Sequence, residues 1–329
     1  MTGYRASSVF WAPVTALLIA GAAQAQTSDK YPSKNVRIIV PFAAAGPTDV
    51  MARLIAQKLQ GSLGTPFIVE NHPGAGGNIG MAMVAGAPPD GYTLLLVSSS
   101  VVVNPSLYEK VPYNVFKDLA PITLAGSSPN ILVVHPSVPA KTVKELVAYV
   151  QANPGKVSFA TPGFGTTASL AAENFRHALK LDMQPVPFNG AGPALNAVVA
   201  GQVPIGMMAL PPVTAHLKAG TLRGIAFTTE KRVAVAPEVP TMAEAGVPGD
   251  QISDVMQGVF APGGTPNSVI DLLQAEIAKA VAVPDVKAKL DALGFDPIAD
   301  KPDHFAARIK VEVSKWAKVI TDAKIEKVK

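Results

Sequence analysis

PFAAAGPTD (residues 41–49) returns in near-repeat as PFNGAGP (residues 187–193). Both copies follow the pattern P-F-x-x-A-G-P, and each comes just after apolar or β-prone residues. A proline-glycine turn suits the step from a strand into a helix, so two such turns can match by chance. The alternative is that two similar walls, about half a chain apart, face something between them.

Working outward, VRIIVPF (36–42) precedes a segment in which Val50, Met51, Leu54, Ile55 and Leu59 recur at helical spacing. PFIVEN (66–71) precedes NIGMAMVAGA, and YTLLLVSSS (92–100) follows the turn PPDG. The style repeats with ILVVHP (131–136) and then a helix opened by the capping box Thr142-x-x-Glu145, with Val143, Leu146, Val147 and Val150 as its apolar stripe. VSFATPG (157–163), QPVPF (184–188), VPIGMMA (203–209) and LRGIAFTT (222–229) supply further strands. After VFAP (259–262) the chain turns helical. Ser268 and Asp271 are expected to cap a segment bearing Ile270, Leu273, Ile277 and Val281, and a last helix carries Phe305, Ile309, Val313, Trp316 and Ile320. Such alternation predicts an α/β fold, with largely parallel sheets covered by helices. At 329 residues two lobes are expected, and no low-complexity linker divides them, so the chain crosses between lobes more than once, near 125–128 and 227–229. This gives lobe one as residues 26–125 and 229–329, and lobe two as 126–228. Ligands of open parallel sheets lie beyond the carboxyl ends of the strands, where both repeats fall.

Residues 1–25 read as a secretory signal: Arg5, an apolar run from Val9 to Ala22, then Ala23-Gln24-Ala25 as an A-x-A cleavage site. Removing Arg5 lowers the formal charge from +4 to +3. The apolar run is short for a membrane span. The chain has no cysteine, which excludes disulfides, thiolate metal sites and cysteine nucleophiles. Hydrophobic residues at 48% and charged residues at 16% describe a compact globular protein, with no nucleic-acid patch. The lysine-rich tail (Lys324, Lys327, Lys329) reads as a solvated end.

Catalytic constellations are thin. PGAGGNIG (73–80) imitates a dinucleotide fingerprint, but Pro73 interrupts it and no ribose-binding acid follows about twenty residues on. The five histidines lack metal-ligand spacing, and G-x-S-x-G and Walker motifs are absent. Ser98-Ser99-Ser100 could hold a nucleophile, though no paired base can be named. Catalytic, cofactor-binding and metal residues are therefore expected to be none. PFAAAGPTD, NHPGAGGNIG, SSSVVVNP, TPGFGTT and PFNGAGP contain no lysine or arginine. They offer hydroxyls, Ser99 among them, amides and small residues, with Phe42 also counted as a ligand-binding candidate, beside helix N-termini that can hold a carboxylate without a basic side chain.

IIVPFAAAGPTDVMARLIAQKL, VENHPGAGGNIG, APPDGYTLL, NPSLYEKVPYNVFKDLAPIT, FATPGFGTT, VPFNGAGPAL and APEVPTMAEAGVPG, taken in order, resemble the Bug (Bordetella uptake gene) family. These are solute receptors of tripartite tricarboxylate transporters, and the likeness runs from about Tyr31 to the C-terminus. The resemblance implies a periplasmic binding protein of two α/β lobes (type II-like) that close on a small carboxylate held mainly by main-chain amides. It implies membrane permease subunits as partners, no cofactor, and a monomer. Carried over, the site is Ala45, Gly46, Pro47, Thr48 and Asp49, backed by Gly77 and Asn78. Thr161, Gly163, Gly165, Thr166, Thr167, Phe188, Asn189 and Gly190 face them from the other lobe. Relatives commonly have two glycines where this chain has Ala45-Gly46, and arginine is frequent where it has His72. If Met208 faces the cleft, the ligand is a carboxylate with an apolar or aromatic remainder; if Met208 fills core, that preference falls away. A carboxylate sensor docking on a signalling partner, or a periplasmic hydrolase or oxidoreductase, are the alternatives.

Overall fold

A computed structural model of the chain describes residues 1–3, 31–249, 253–322 and 325–329, and the fold lies within Pro32–Lys329. The secretory signal and its cleavage site, with Lys324 of the tail, lie outside the described residues. Among the described residues, no helix is long and apolar enough to cross a membrane.

The opening VRIIV forms β1 (Val36–Val40), and Pro47 begins α1 (Pro47–Leu63), where the missing proline N–H costs nothing. Met51, Ile55 and Leu59 of its stripe are buried. β2 (Phe67–Asn71) and β3 (Thr93–Val97) pair with β1 in parallel on either side, and α2 (Asn78–Ala85) joins them. Lobe two repeats the scheme. α4 (Val143–Gln151) starts at the expected box, where Thr142 accepts from the Glu145 N–H at 3.2 Å and Glu145 accepts from the Lys141 N–H. β5 (Val157–Thr161), α5 (Thr167–Ala178), β6 (Met183–Pro187), α6 (Ala191–Val199), β7 (Ile205–Ala209), α7 (Leu210–Ala219) and β8 (Arg223–Phe227) follow. β5 pairs in parallel with β6 and β7.

The two parallel groups are joined by long antiparallel strands that periodicity had revealed only in part. β4 runs Leu119–Val134 and β9 runs Asp254–Pro262. β4 pairs with β9 as far as Pro129, then with β7 from Asn130 onward. The path is continuous, β2-β1-β3-β9-β4-β7-β5-β6. Sequence reading saw only Ile131–Val134 and Val259–Pro262 of these strands, because Pro121, Gly126 and Pro129 interrupt the pattern. The structure accommodates them with register shifts between Pro121 and Thr123 and between Leu124 and Gly126, which bend a strand without ending it.

In lobe two the sheet is buried on both faces. Leu132, Val134 and Met207 enter one core with Phe159, while Ile131, Val133 and Met208 enter the other with Phe227. α8 (Asn267–Ala282), α9 (Pro284–Leu293), the short β10 (Asp296–Pro297) and α10 (Pro302–Asp322) complete the chain. Pro266 is the N-cap of α8, so Ser268 and Asp271 lie inside the helix and do not cap it. All but the first two residues of SSSVVVNP (98–105) lie in α3 (Ser100–Leu107). Valine is a poor helix former, but Val101, Val102 and Val103 are fully buried, and packing overrides propensity. The tail is pinned: the Val328 N–H donates to Leu107 O, and the Glu109 N–H donates to Val328 O, both at 2.9 Å.

Candidate functional site: a cleft of helix N-termini

Several helices point their N-termini at one narrow cavity between the lobes. Gly46, Pro47 and Thr48 come from the start of α1; Thr166, Thr167 and Ala168 from α5; Ala191 from α6; and Ala209 is the N-cap of α7. Phe42, Ser98, Asn130, Pro162 and Val255 close the remaining sides. Its volume is about 30 Å³, room for roughly two waters. The lining contains no lysine, arginine, aspartate or glutamate. Each helix N-terminus carries unpaired N–H groups and roughly half a positive charge. Their convergence puts partial positive charge around a cavity that has no charged side chain.

The lobe-one wall is held by a charged clamp. Asp49 is buried, and its carboxylate accepts from Arg53 Nε at 3.0 Å and Nη2 at 2.9 Å, from Asn71 Nδ2 at 3.0 Å and from the Ala45 N–H at 3.0 Å. Asn71 also donates to Phe42 O at 3.0 Å. Burial pushes the Asp49 carboxyl up, but the hydrogen bonds from Arg53, Ala45 and Asn71 outweigh it, and its pKa lies below the ordinary value. Asp49 therefore fastens the loop and faces away from the cavity lining. Ala45 is exposed, has φ +65°, and spends its N–H on Asp49. It does not line the cavity.

The two echoing segments touch each other. The Ala43 N–H donates to Asn189 O at 3.3 Å across the cleft. A Cβ at Gly192 would lie 2.7 Å from Ala44 O, one at Gly190 would lie 3.0 Å from Ala43 N, and one at Gly165 would collide with Asn104 Oδ1. The repeat thus has a physical use, because backbones approach this closely only without side chains between them.

The other residues singled out in the sequence divide into three groups. Gly46, Pro47, Thr48, Thr166, Thr167 and Phe42 meet at the narrow cavity, and Thr166 also caps α5, accepting from the Ser169 N–H at 3.2 Å. Gly77, Gly163, Phe188 and Asn189 line a wider cavity beside it. Asn78 is buried in lobe one, accepting from Asn104 Nδ2 at 2.9 Å and Tyr113 OH at 3.0 Å. Thr161 ends β5, its carbonyl accepting from the Phe188 N–H. Ser99 ties down β9 by accepting from the Met256 N–H at 2.9 Å, while its neighbour Ser98 reaches the cavity. Met208 is fully buried in the core, so it removes no partner from a ligand. Sequence reading missed Asn130, Ala191 and Ala209. Asn130 did carry a signal, as a lone amide opening the apolar run ILVV, and it is fully buried with Nδ2 at 3.3 Å from Thr167 Oγ1 and 3.2 Å from Ser253 Oγ.

PGAGGNIG makes a 3₁₀ turn (Ala75–Gly77) leading into the eight-residue α2, and follows the edge strand β2. No group of three or more metal-ligating side chains occurs among the described residues.

Known proteins resemble this chain over most of its length. The family model described as the tripartite tricarboxylate transporter family receptor matches residues 51–325. Protein BugT of Bordetella pertussis is 38% identical over 93% of this chain and 95% of its own length. The solved periplasmic binding protein BugD superposes with a TM-score of 0.87 at 34% identity, covering 91% of this chain and all of BugD. Rpa4515 of R. palustris, solved with adipate, gives a TM-score of 0.87 at 31% identity over 91% of this chain and all of its own. These relatives are solute-binding proteins and not enzymes, and the two-lobed fold is theirs. The chain belongs to the tripartite tricarboxylate transporter receptor family.

Proposed function

We propose that this receptor captures a small carboxylate in the narrow cavity and delivers it to the membrane permease subunits of a tripartite transporter. The convergence of the α1, α5, α6 and α7 N-termini on a cavity without charged side chains carries the reading. Backbone N–H groups and the hydroxyls of Thr48 and Thr167 supply the donors, while the Thr166 hydroxyl donates to Gly163 O and fixes the α5 turn, and a fixed array of donors need not reorganise on binding. The adipate of Rpa4515 supports a carboxylate as the ligand class. Lobe one (26–125 and 229–329) and lobe two (126–228) close on it. Export through the signal at residues 1–25 puts the mature monomer in the periplasm.

A thermal-shift panel of the mature protein tests this, with succinate, malate, citrate, adipate and benzoate set against their amides. At a hundredfold excess over Kd, mass action adds about 2.7 kcal/mol, or about 4 °C for some 300 folded residues. Stabilisation by at least one acid and not by its amide is expected. Equal shifts with acids and amides, or none with any acid, would refute the reading.

A further inference from the structure

Asn104 is a polar side chain that ligand binding leaves unused. It sits in α3 of lobe one, fully buried, and lines neither the narrow cavity nor the wider one. Its Nδ2 donates to Gly76 O at 3.0 Å and to Asn78 Oδ1 at 2.9 Å, and Asn78 Oδ1 also accepts from Tyr113 OH at 3.0 Å. Turning the amide over would set its oxygen against those two acceptors, so its orientation is fixed. The Asn104 Oδ1 itself has no hydrogen-bond partner among the described residues.

What covers Oδ1 is Gly165, in the lobe-two turn that leads into α5. Gly165 has φ +79°, and a Cβ there would fall onto Oδ1, so a glycine Cα–H faces the amide oxygen. The same turn meets lobe one again at Gly76, where a Cβ would lie 2.6 Å from Phe164 O. A Cα–H is a far weaker donor than water. With the lobes apart, Gly165 leaves and Oδ1 meets solvent; bringing them together strips that water and returns only a C–H. An acceptor buried without a donor costs free energy. Here the cost falls on closure alone, because both Nδ2 bonds lie within lobe one and persist in either arrangement.

We propose that Asn104 is a brake on closure, its Oδ1 holding the empty receptor open until a ligand offsets the cost. This rests on the receptor reading above and adds how that site is controlled. A brake lowers apparent affinity by the fraction of closed form it removes. Its benefit is that a closed receptor presented to the permease carries cargo.

Titration calorimetry of Asn104 variants tests the brake, with succinate, malate, citrate, adipate and benzoate as probes. Asn104→Ala removes the acceptor and should tighten the Kd about fivefold, even though losing the bonds to Gly76 and Asn78 lowers its melting temperature. Asn104→Asp keeps an acceptor and adds a charge that closure must also bury, so its Kd should weaken about fivefold or more. A residue that only held lobe one together would weaken binding in both variants. An Asn104→Ala Kd less than twofold tighter than the wild type, or weaker, would overturn the brake. If no acid binds the wild type, the receptor reading falls and the ligand-free protein decides the brake alone. The chain has no cysteine, so spin labels on Lys110→Cys in lobe one and Lys156→Cys in lobe two, both exposed positions, read the lobe separation. A larger population at short distance in Asn104→Ala would then support the brake, and identical distance distributions would overturn it.

Discussion

Ala45→Gly should make the protein more stable without changing what it binds. Ala45 sits at φ +65°, a left-handed conformation that costs a residue with a Cβ about 1–2 kcal/mol. The strain persists because Asp49, itself gripped by Arg53 and Asn71, holds the Ala45 N–H at 3.0 Å. Glycine adopts this conformation freely, although it loses about 0.5–1 kcal/mol more on ordering. The net gain is therefore about 0.5–1 kcal/mol. An unfolding entropy of about 2.1 cal/mol/K per residue makes that a rise of about 1–2 °C for some 300 folded residues. The methyl is exposed and lines neither cavity, so no burial is lost and ligand affinity should stay within twofold. Calorimetric melting of the wild type and variant, with and without a saturating carboxylate, reads both quantities. A melting temperature that falls, or an affinity that moves more than fivefold, would refute the assignment of this residue to loop strain rather than to ligand contact.

Other expectations follow from the same geometry. Thr48→Val keeps the shape of a buried cavity residue and removes one hydroxyl, so carboxylate affinity should drop about tenfold, the worth of one hydrogen bond to a charged group. Thr166→Ala should weaken binding and also cost about 1 kcal/mol of stability, because the α5 cap is lost; Thr166→Ser should retain that stability. Gly192→Ala places a methyl against Ala44 O and should lower affinity tenfold or more by pushing the two segments apart, as a binding titration would show. Asp49 has a lowered folded-state pKa, so its contribution to stability is present above the ordinary carboxylate value of about 4 and is lost as pH falls through the folded value. Asp49→Asn should be less stable at neutral pH and show a flatter acid melting profile. Glu70, paired with Arg37 at 2.7 Å, titrates at about 2, and Arg37→Gln should return it towards the ordinary range in an NMR titration.

The strand-turn-helix steps were legible because each local choice agrees with the whole: VRIIV, a Pro at the first helical position, then a stripe at helical spacing. The two echoing turns were legible as strand-to-helix steps for the same reason. Two other features were hidden. Strand β4 carries Pro121, Gly126 and Pro129 in its interior, and only long-range pairing with β9 makes it a strand. Helix α3 is written in valines and is helical because its neighbours bury it. Residue type marked loops that meet at one cavity but could not say which way each side chain turned. Asp49 and Ser99 are spent on holding the loops, Met208 belongs to the core, and Asn130 enters from a strand that read as plain hydrophobic. Orientation is set by partners distant in sequence, such as Asn71 for Asp49 and Met256 for Ser99.

The central claim is that a carboxylate is held where the 41–49 and 187–193 segments meet between the lobes. Hydrogen–deuterium exchange of the mature protein, with adipate or whichever panel acid stabilises it most, tests this directly. Exchange should slow in residues 42–49, 163–170 and 188–194 together, since their N–H groups line or border the cleft. Unchanged exchange in all three segments under saturating acid, with protection at a surface remote from them, would contradict the account.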